Sequence, residues 1–142
     1  MLKRKLLTMM MIGVIGVTGV LGTSVSSHAA NTDNEEYSFN NSSAQGVGTF
    51  RNKKNSSTVF VHPTSGPKIF YTVQGKTAVG LDIVECSNIV AIPLNVKGSI
   101  VNHVRKDGCD KARLSYQRIT TGYVYTKGMW SPDSLKDYTV FP

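Results

Sequence analysis

The sequence predicts an all-β protein, a single antiparallel β-sandwich or β-barrel of about seven or eight short strands that follows a cleaved signal peptide. Short apolar runs alternate with turn residues from Thr49 onward, and no stretch keeps the i, i+3, i+4 spacing of an amphipathic helix for three turns. The chain opens with basic, apolar and then small residues, which is typical of an export signal. We therefore expect a signal peptide at 1–29, a flexible N-terminal arm at 30–47 and a β domain at 48–142.

The first segment has the three parts of a secretory signal peptide. Basic residues occupy 3–5, the stretch 6–21 is largely apolar, and Ser27-His28-Ala29 places small residues before a cleavage site at Ala30; cleavage one residue later is the alternative. A membrane anchor competes with this interpretation, because the apolar run approaches the ~18 residues that span a bilayer. The cleavage site and the glycines favour export, so we expect a secreted, extracellular protein with no stable membrane anchor.

Size and charge limit the classes of function. Removal of residues 1–29 reduces 142 residues to 113, which is enough for one hydrophobic core and too few for a second domain. It also reduces the net charge from +7 to +4, because three of sixteen basic residues leave and all nine acidic residues stay. This mild charge suits an anionic wall or membrane surface, yet it is equally ordinary for a soluble protein. It is too weak to predict a nucleic-acid partner.

The N-terminal arm, 30–47, is rich in Asn, Ser, Glu and Gly, with only Tyr37 and Phe39 as large apolar groups. It is predicted to be mobile, or to dock late as an edge strand, outside the core. The strands predicted after it are Ser57–His62, Lys68–Val73, Thr77–Val84, Asn88–Leu94, Ser99–Arg105, Lys111–Thr120, Gly122–Met129 and Asp137–Phe141.

Glycine and proline between these runs predict tight reversals and therefore antiparallel hairpins. The alternation within the stretch 113–118 predicts an edge strand with one wet face. A turn or two of helix is allowed near 131–137, because Ser131-Pro132 is a suitable start. One side of the first two strands carries Val59, Val61, Ile69, Tyr71 and Val73, and the other carries Phe60 and Phe70, a mixed pattern that burial of both faces would explain.

Both cysteines, Cys86 and Cys109, lie in the exported portion beside predicted turns. In an exported protein this predicts a disulfide, and the chain-entropy model assigns roughly 3 kcal/mol to a loop of about two dozen residues. Two free thiols are the alternative. No zinc site is predicted, because no Cys-x-x-Cys pair occurs and only two histidines remain after cleavage.

Catalytic motifs are absent from the sequence. There is no Gly-x-Ser-x-Gly elbow, phosphate-binding glycine loop or His-Glu-x-x-His pair, and neither cysteine has the context of a protease nucleophile. Asp82 and Glu85 offer the paired carboxylates that glycosidases use, and His62 and His103 could join them around a metal. Because any domain with nine acidic residues offers such pairs, we predict no enzyme, no metal and no cofactor.

A group of aromatic and basic side chains between 113 and 130 is the candidate binding surface, since such faces bind sugars or proteins when exposed. Its alternative is that the rings alternate into the core, with Trp130 anchoring a buried corner at 130–134. The candidate binding residues are Tyr116, Tyr123, Tyr125, Trp130, Arg113 and Arg118.

Four blocks of sequence carry a resemblance. They are Phe50-Arg51-Asn52-Lys53-Lys54-Asn55-Ser56-Ser57, Gly98-Ser99-Ile100-Val101-Asn102-His103-Val104, Ala112-Arg113-Leu114 and Gly128-Met129-Trp130-Ser131-Pro132-Asp133-Ser134. Together they resemble a family of small, secreted, uncharacterised proteins of Gram-positive bacteria that end near a Trp-Ser-Pro-Asp-Ser motif. The resemblance covers most of the chain after residue 29 and implies export and a shared fold, but no activity. The two cysteines depart from the family pattern, which makes the disulfide a local feature.

These observations favour a secreted, non-catalytic β domain that binds a cell-wall or other cell-surface component, or another protein. Two functions from other classes remain open: a secreted toxin or antimicrobial protein, and a small hydrolase that acts on the cell wall. The toxin would inhibit growth of a susceptible strain, whereas the hydrolase would need a catalytic carboxylate such as Asp82 or Glu85.

Overall fold

The computed structural model of the protein describes residues 30–41 and 43–142. The predicted signal peptide at 1–29 lies outside the described residues. Within the described ranges there are eleven strands and no helix. The strands are β1 Glu35–Asn41, β2 Gln45–Val47, β3 Arg51–Asn52, β4 Val59–Ser65, β5 Ile69–Lys76, β6 Ile83–Glu85, β7 Val90–Ala91, β8 Gly98–Ile100, β9 Lys111–Arg118, β10 Val124–Ser131 and β11 Thr139–Phe141.

Two sheets pack face to face. Sheet I has the order β1-β10-β4-β8-β11, and sheet II has the order β2-β9-β5-β6, with β3 also paired to β9 and β7 to β5. Every pairing is antiparallel except that of β11 with β8, which is parallel. Neither sheet closes on itself, so the sandwich prediction is confirmed and the barrel alternative is wrong. No described residue belongs to an apolar helix long enough to cross a membrane.

The core lies between the sheets and follows the predicted alternation. The five side chains on the first side of the two predicted strands, Val59 to Val73, are fully buried. On the other side Phe60 is buried and Phe70 is only partly buried. Tyr37 of sheet I and Tyr71 of sheet II share a buried hydrogen bond of 2.7 Å between their hydroxyl groups. Burial raises the pKa of Tyr71 to about 12, so this hydroxyl keeps its proton and the bond between the sheets stays intact.

The N-terminal segment corrects one prediction. Residues 30–47 are not an arm outside the core: β1 pairs along its whole length with β10, from Glu35 opposite Trp130 to Asn41 opposite Val124. Tyr37 and Phe39 are buried, and the Tyr37 ring stacks on that of Tyr116 with centroids 5.4 Å apart. The alternative of an edge strand describes β1 correctly, because β1 is the edge strand at one end of sheet I.

Several later elements also differ from the predictions. The run Ser99–Arg105 ends as a strand at Ile100, because the chain then turns back with a hydrogen bond from the Asp107 N–H to the His103 carbonyl. The run Lys111–Thr120 is β9, which lies inside sheet II and not at its edge. No helix forms at 131–137 within the described residues, where the chain holds a non-helical corner.

A buried ion pair fixes that corner. The Lys53 ammonium lies 2.9 Å from Asp133 Oδ1, and both side chains are fully buried. Lys53 Nζ also donates to the carbonyls of Ser57 and Pro132 at 2.7 Å each, so all three of its protons have acceptors. The structure therefore holds lysine as a cation and aspartate as an anion.

The Asp133 carboxylate joins three parts of the chain. It accepts from the backbone N–H of Asn31 at 2.7 Å and from that of Lys54 at 2.9 Å, in addition to the Lys53 ammonium. Burial raises the pKa of Asp133, but these donors outweigh burial and hold the pKa below its ordinary value. Trp130, next to this corner, is buried as the anchor that the sequence predicts.

Candidate functional site

An open groove of about 680 Å³ crosses the outer face of sheet II. Its floor comes from β9 and β5, one side from β2, and the other side from the segment that follows β6. The residues that line it are Gln45, Gly46, Val47, Thr72, Gln74, Glu85, Ser87, Asn88, Ile89, Ser115 and Gln117. We call this surface the sheet II groove.

Strand alternation explains why the floor is polar. In β5 and β9, inward positions hold buried side chains such as Val73 and Leu114, while outward positions hold polar residues apart from Phe70. The register then places outward side chains in rows across the strands, with Val47 opposite Ser115 and Ser115 opposite Thr72. The floor is therefore a flat array of hydroxyl and amide groups on a rigid sheet.

The charged groups at one end of the groove are linked through an amide. Arg113 Nε donates to Gln74 Oε1 at 2.8 Å, and Gln74 Nε2 donates to Glu85 Oε1 at 2.5 Å. The Arg113 guanidinium also lies over the Phe50 ring, 4.5 Å from its centroid. The positive and negative charges offset each other at this end of the groove.

The segment after β6 forms a fixed wall. The Cys86 N–H donates to the Val73 carbonyl at 2.8 Å, and the Val73 N–H donates to Ser87 Oγ at 2.8 Å. Ile89 in this wall is 61% exposed, and Val47 on the opposite side is 53% exposed. The polar floor thus lies between two apolar side chains that face solvent.

The groove lacks the carboxylate pair that a glycosidase needs. Of the described residues, Glu85 is the only carboxylate that lines the groove, and the predicted partner Asp82 does not line it. Because glycoside hydrolysis requires two carboxyl groups on either side of the scissile bond, this geometry suits binding better than hydrolysis.

The structure divides the predicted binding residues into separate groups. Tyr116 and Trp130 are buried, as the core alternative for these rings predicts, and are not available to a ligand. Tyr123 is 68% exposed in the loop before β10, and Tyr125 is 43% exposed in β10 itself. Neither residue lines the groove. Arg118 donates to the Gly122 carbonyl at 2.6 Å in that loop. Among the six, Arg113 alone reaches the groove, through its bond to Gln74.

Sequence reasoning missed the residues of the groove floor. The outward residues of β5 and β9 alternate visibly with the core residues, so their exposure is predictable. Their assembly with Gln45 and Val47 is not, because nothing in the sequence gives the register of β2 on β9.

A second cluster contains the two cysteines, which are buried and not bonded to each other. The two Sγ atoms lie 2.8 and 2.9 Å from the point where a Cβ on Gly75 would stand, so they are neighbours. Cys86 Sγ lies 3.6 Å from Asp107 Oδ2, which also contacts His103 Nδ1. Burial, followed by the charge of Cys109, raises the pKa of Cys86 to about 12, so this thiol is not a nucleophile at neutral pH.

Three of these side chains could hold a metal ion. The ligand atoms of Cys86, His103 and Asp107 all lie within 4.8 Å of one another. This set differs from the one considered on sequence grounds, since His62 lies on β4 in sheet I. Cys86, His103 and Asp107 do not line the groove, although Cys86 lies between Glu85 and Ser87 in the sequence.

These features define a small β-sandwich domain with a polar groove on one sheet, lined among the described residues by a single carboxylate. The chain belongs to the family described as "Protein of unknown function (DUF2712)", whose model matches residues 25–134. The expected membership of an uncharacterised family is therefore confirmed. No curated protein and no solved structure matches the chain.

Proposed function

We propose that the protein is a secreted, non-catalytic domain that binds a cell-surface component through the sheet II groove. The observation that carries this proposal is the groove itself. It has a volume of about 680 Å³, and polar side chains on a rigid sheet line most of it. Binding sites are typically preformed concave surfaces with a few convergent polar groups. The signal-like segment and the mild positive charge expected after its removal support a site of action at a cell surface.

Retention on cell fractions tests this proposal. The purified protein without residues 1–29 is mixed with isolated cell walls, membranes and culture supernatant, first in low salt and then in raised salt. We expect retention on the surface fractions to survive raised salt, because specific contacts are screened less than surface charge attraction. The double variant Thr72→Ala/Gln117→Ala should bind about tenfold more weakly, since two lost hydrogen bonds are worth about 1.4 kcal/mol.

Tyr123→Ala is the matched control, because this exposed side chain lies outside the groove. It should bind like the unchanged protein. Loss of binding in this control but not in the groove variant would place the binding surface on the loop before β10. If no fraction retains the protein, the proposal fails, and growth inhibition and turnover of wall fragments become the next assays. Trp130→Ala is unsuitable for this purpose, because the ring is buried.

We also propose that Cys86 and Cys109 form a disulfide in the exported protein. Their Sγ atoms are neighbours beside Gly75, and each thiol gives up one proton and one electron to an extracellular disulfide donor, which is reduced to a dithiol. Intact mass measured before and after reduction should differ by about two mass units, because the bond removes two hydrogens. An unchanged mass contradicts the bond, and a native mass raised by one zinc ion would assign the thiols to metal binding.

A further inference from the structure

We infer that the sheet II groove takes a neutral oligosaccharide, that is, an uncharged chain rich in hydroxyl groups. This inference rests on the proposed function and adds the chemical class of its ligand. Three properties of the groove lead to it: the kind of hydrogen-bonding groups, the balance of charge and the position of the apolar side chains.

The floor offers groups that both donate and accept hydrogen bonds. Thr72 and Ser115 present hydroxyls, and Gln117 and Asn88 present amides. Among the described residues, no side-chain hydrogen bond within the protein engages Thr72, Ser115 or Gln117. A sugar hydroxyl also donates and accepts, so a row of such groups matches a row of ring hydroxyls without either side carrying a charge.

Opposite charges lie together at one end of the groove. Glu85 and Arg113 are joined through Gln74, so each offsets part of the other's attraction for a charged ligand. Lys76 and Lys111 occupy the next outward positions of β5 and β9, but they do not line the groove. A phosphate-rich polymer would need several cations at the site, and a basic peptide would need several anions. The balance therefore favours an uncharged ligand.

Apolar side chains stand on both sides of the floor. Val47 belongs to β2, and Ile89 belongs to the wall that follows β6, so β9 and β5 run between them. Three strand spacings separate β2 from β6, a width of about 14 Å. Sugar rings present C–H faces as well as hydroxyls, and a short oligosaccharide laid across the strands would place these faces against the two side chains.

An extended peptide is a poorer match. Peptides that bind sheets do so by adding a strand to an open edge, where main-chain groups are unpaired. The groove lies over β9 and β5, which are flanked on both sides by other strands and hydrogen-bond to each other over eight residue pairs. The groove floor therefore offers side chains and no free strand edge.

Competition with soluble probes tests the ligand class. Oligomers of N-acetylglucosamine and of glucose serve as neutral probes, inorganic polyphosphate as the anionic probe and oligolysine as the cationic probe. We expect a neutral oligomer to release the protein from the surface fraction and to bind directly in calorimetry. Thr72→Ala/Gln117→Ala should weaken this binding about tenfold. Tyr123→Ala, which lies outside the groove, should change it less than threefold.

Each outcome separates the ligand class from the proposed function. Release by polyphosphate or oligolysine, with no effect of either neutral oligomer, overturns the oligosaccharide assignment while the binding function stands. Retention that none of the probes displaces, together with no calorimetric binding of the neutral oligomers, also overturns it. Absence of retention on every fraction overturns the binding function itself. Urea unfolding of each variant confirms that a lost signal does not come from a lost fold.

Discussion

Asp133→Asn is expected to lower the free energy of unfolding by about 3–5 kcal/mol, because it leaves the buried Lys53 ammonium without its anion. Aspartate and asparagine side chains have nearly the same shape, so this substitution tests the charge of residue 133 and not its packing. The asparagine amide also turns donors toward Asn31 N–H or Lys54 N–H, both of which need an acceptor. Urea unfolding of the two proteins at neutral pH measures the difference.

A surface ion pair provides the control for this measurement. Arg51 and Glu35 lie 3.2 Å apart, but the Glu35 side chain is 58% exposed. Glu35→Gln should therefore change the stability by no more than about 0.5 kcal/mol. Equal losses in the two variants would show that burial adds nothing to the Lys53–Asp133 pair.

The same pair makes part of the stability depend on pH. The pKa of Asp133 is lower in the folded protein than the unfolded value of about 3.9, so the unfolded state takes up the proton first as the pH falls. The contribution of Asp133 is complete above that unfolded pKa and is lost as the pH falls through the folded one. The stability gap between the unchanged protein and Asp133→Asn should therefore narrow below pH 4. A gap that stays constant down to pH 2 would contradict the assignment.

Gly128→Ala is expected to cost about 3 kcal/mol, at the upper end of the range for overpacked positions. A Cβ at Gly128 would lie 2.2 Å from the His62 carbonyl oxygen and 2.8 Å from Pro63 Cα, both of which are backbone atoms of β4. The register of β10 on β4 shifts between Lys127 and Gly128, and the strands approach closely at this irregularity. Because backbone cannot rotate away as a side chain can, the two strands would have to separate.

Gly108→Ala is the matched control for this variant. Gly108 has a φ of +75° and nothing within 4 Å of an added Cβ, so alanine there meets only the conformational penalty of about 1–2 kcal/mol. Thermal and urea unfolding should show that Gly128→Ala is less stable than Gly108→Ala. If Gly108→Ala were the less stable variant, β10 and β4 would be able to separate at Gly128 with little loss of stability.

Strands that sit inside the sheets could be predicted from their own residues. β4, β5, β9 and β10 each bury one face against the opposite sheet, and their alternating patterns record that burial directly. The short strands β6 and β7 were predicted too long, because exposed apolar residues such as Val79 and Leu81 continue the apolar run without being buried. A run of apolar residues therefore indicates a strand only where other parts of the protein bury those residues.

The first three strands could not be predicted in the same way. β1 is polar on its outward face, and the burial of Tyr37 and Phe39 depends on β10, which comes from the far end of the chain. The binding residues predicted from the sequence do not form one surface, for a related reason. The sequence groups Tyr116 with Tyr125 by closeness along the chain, but Tyr116 is buried and Tyr125 is exposed. A surface is formed by neighbouring strands, and strand order is not a local property.

The pairing of β1 with β10, and of Asn31 with Asp133, also sets the order in which the molecule can form. Sheet I cannot be completed until β10 is present, because β10 lies between β1 and β4. Such a topology has a high contact order, which makes folding slow compared with that of helical proteins of similar size and leaves the nascent polypeptide without a complete sandwich. The sandwich therefore assembles only after β10 has been synthesised, and a chain that stops before β10 leaves Tyr37 and Phe39 without their partner strand.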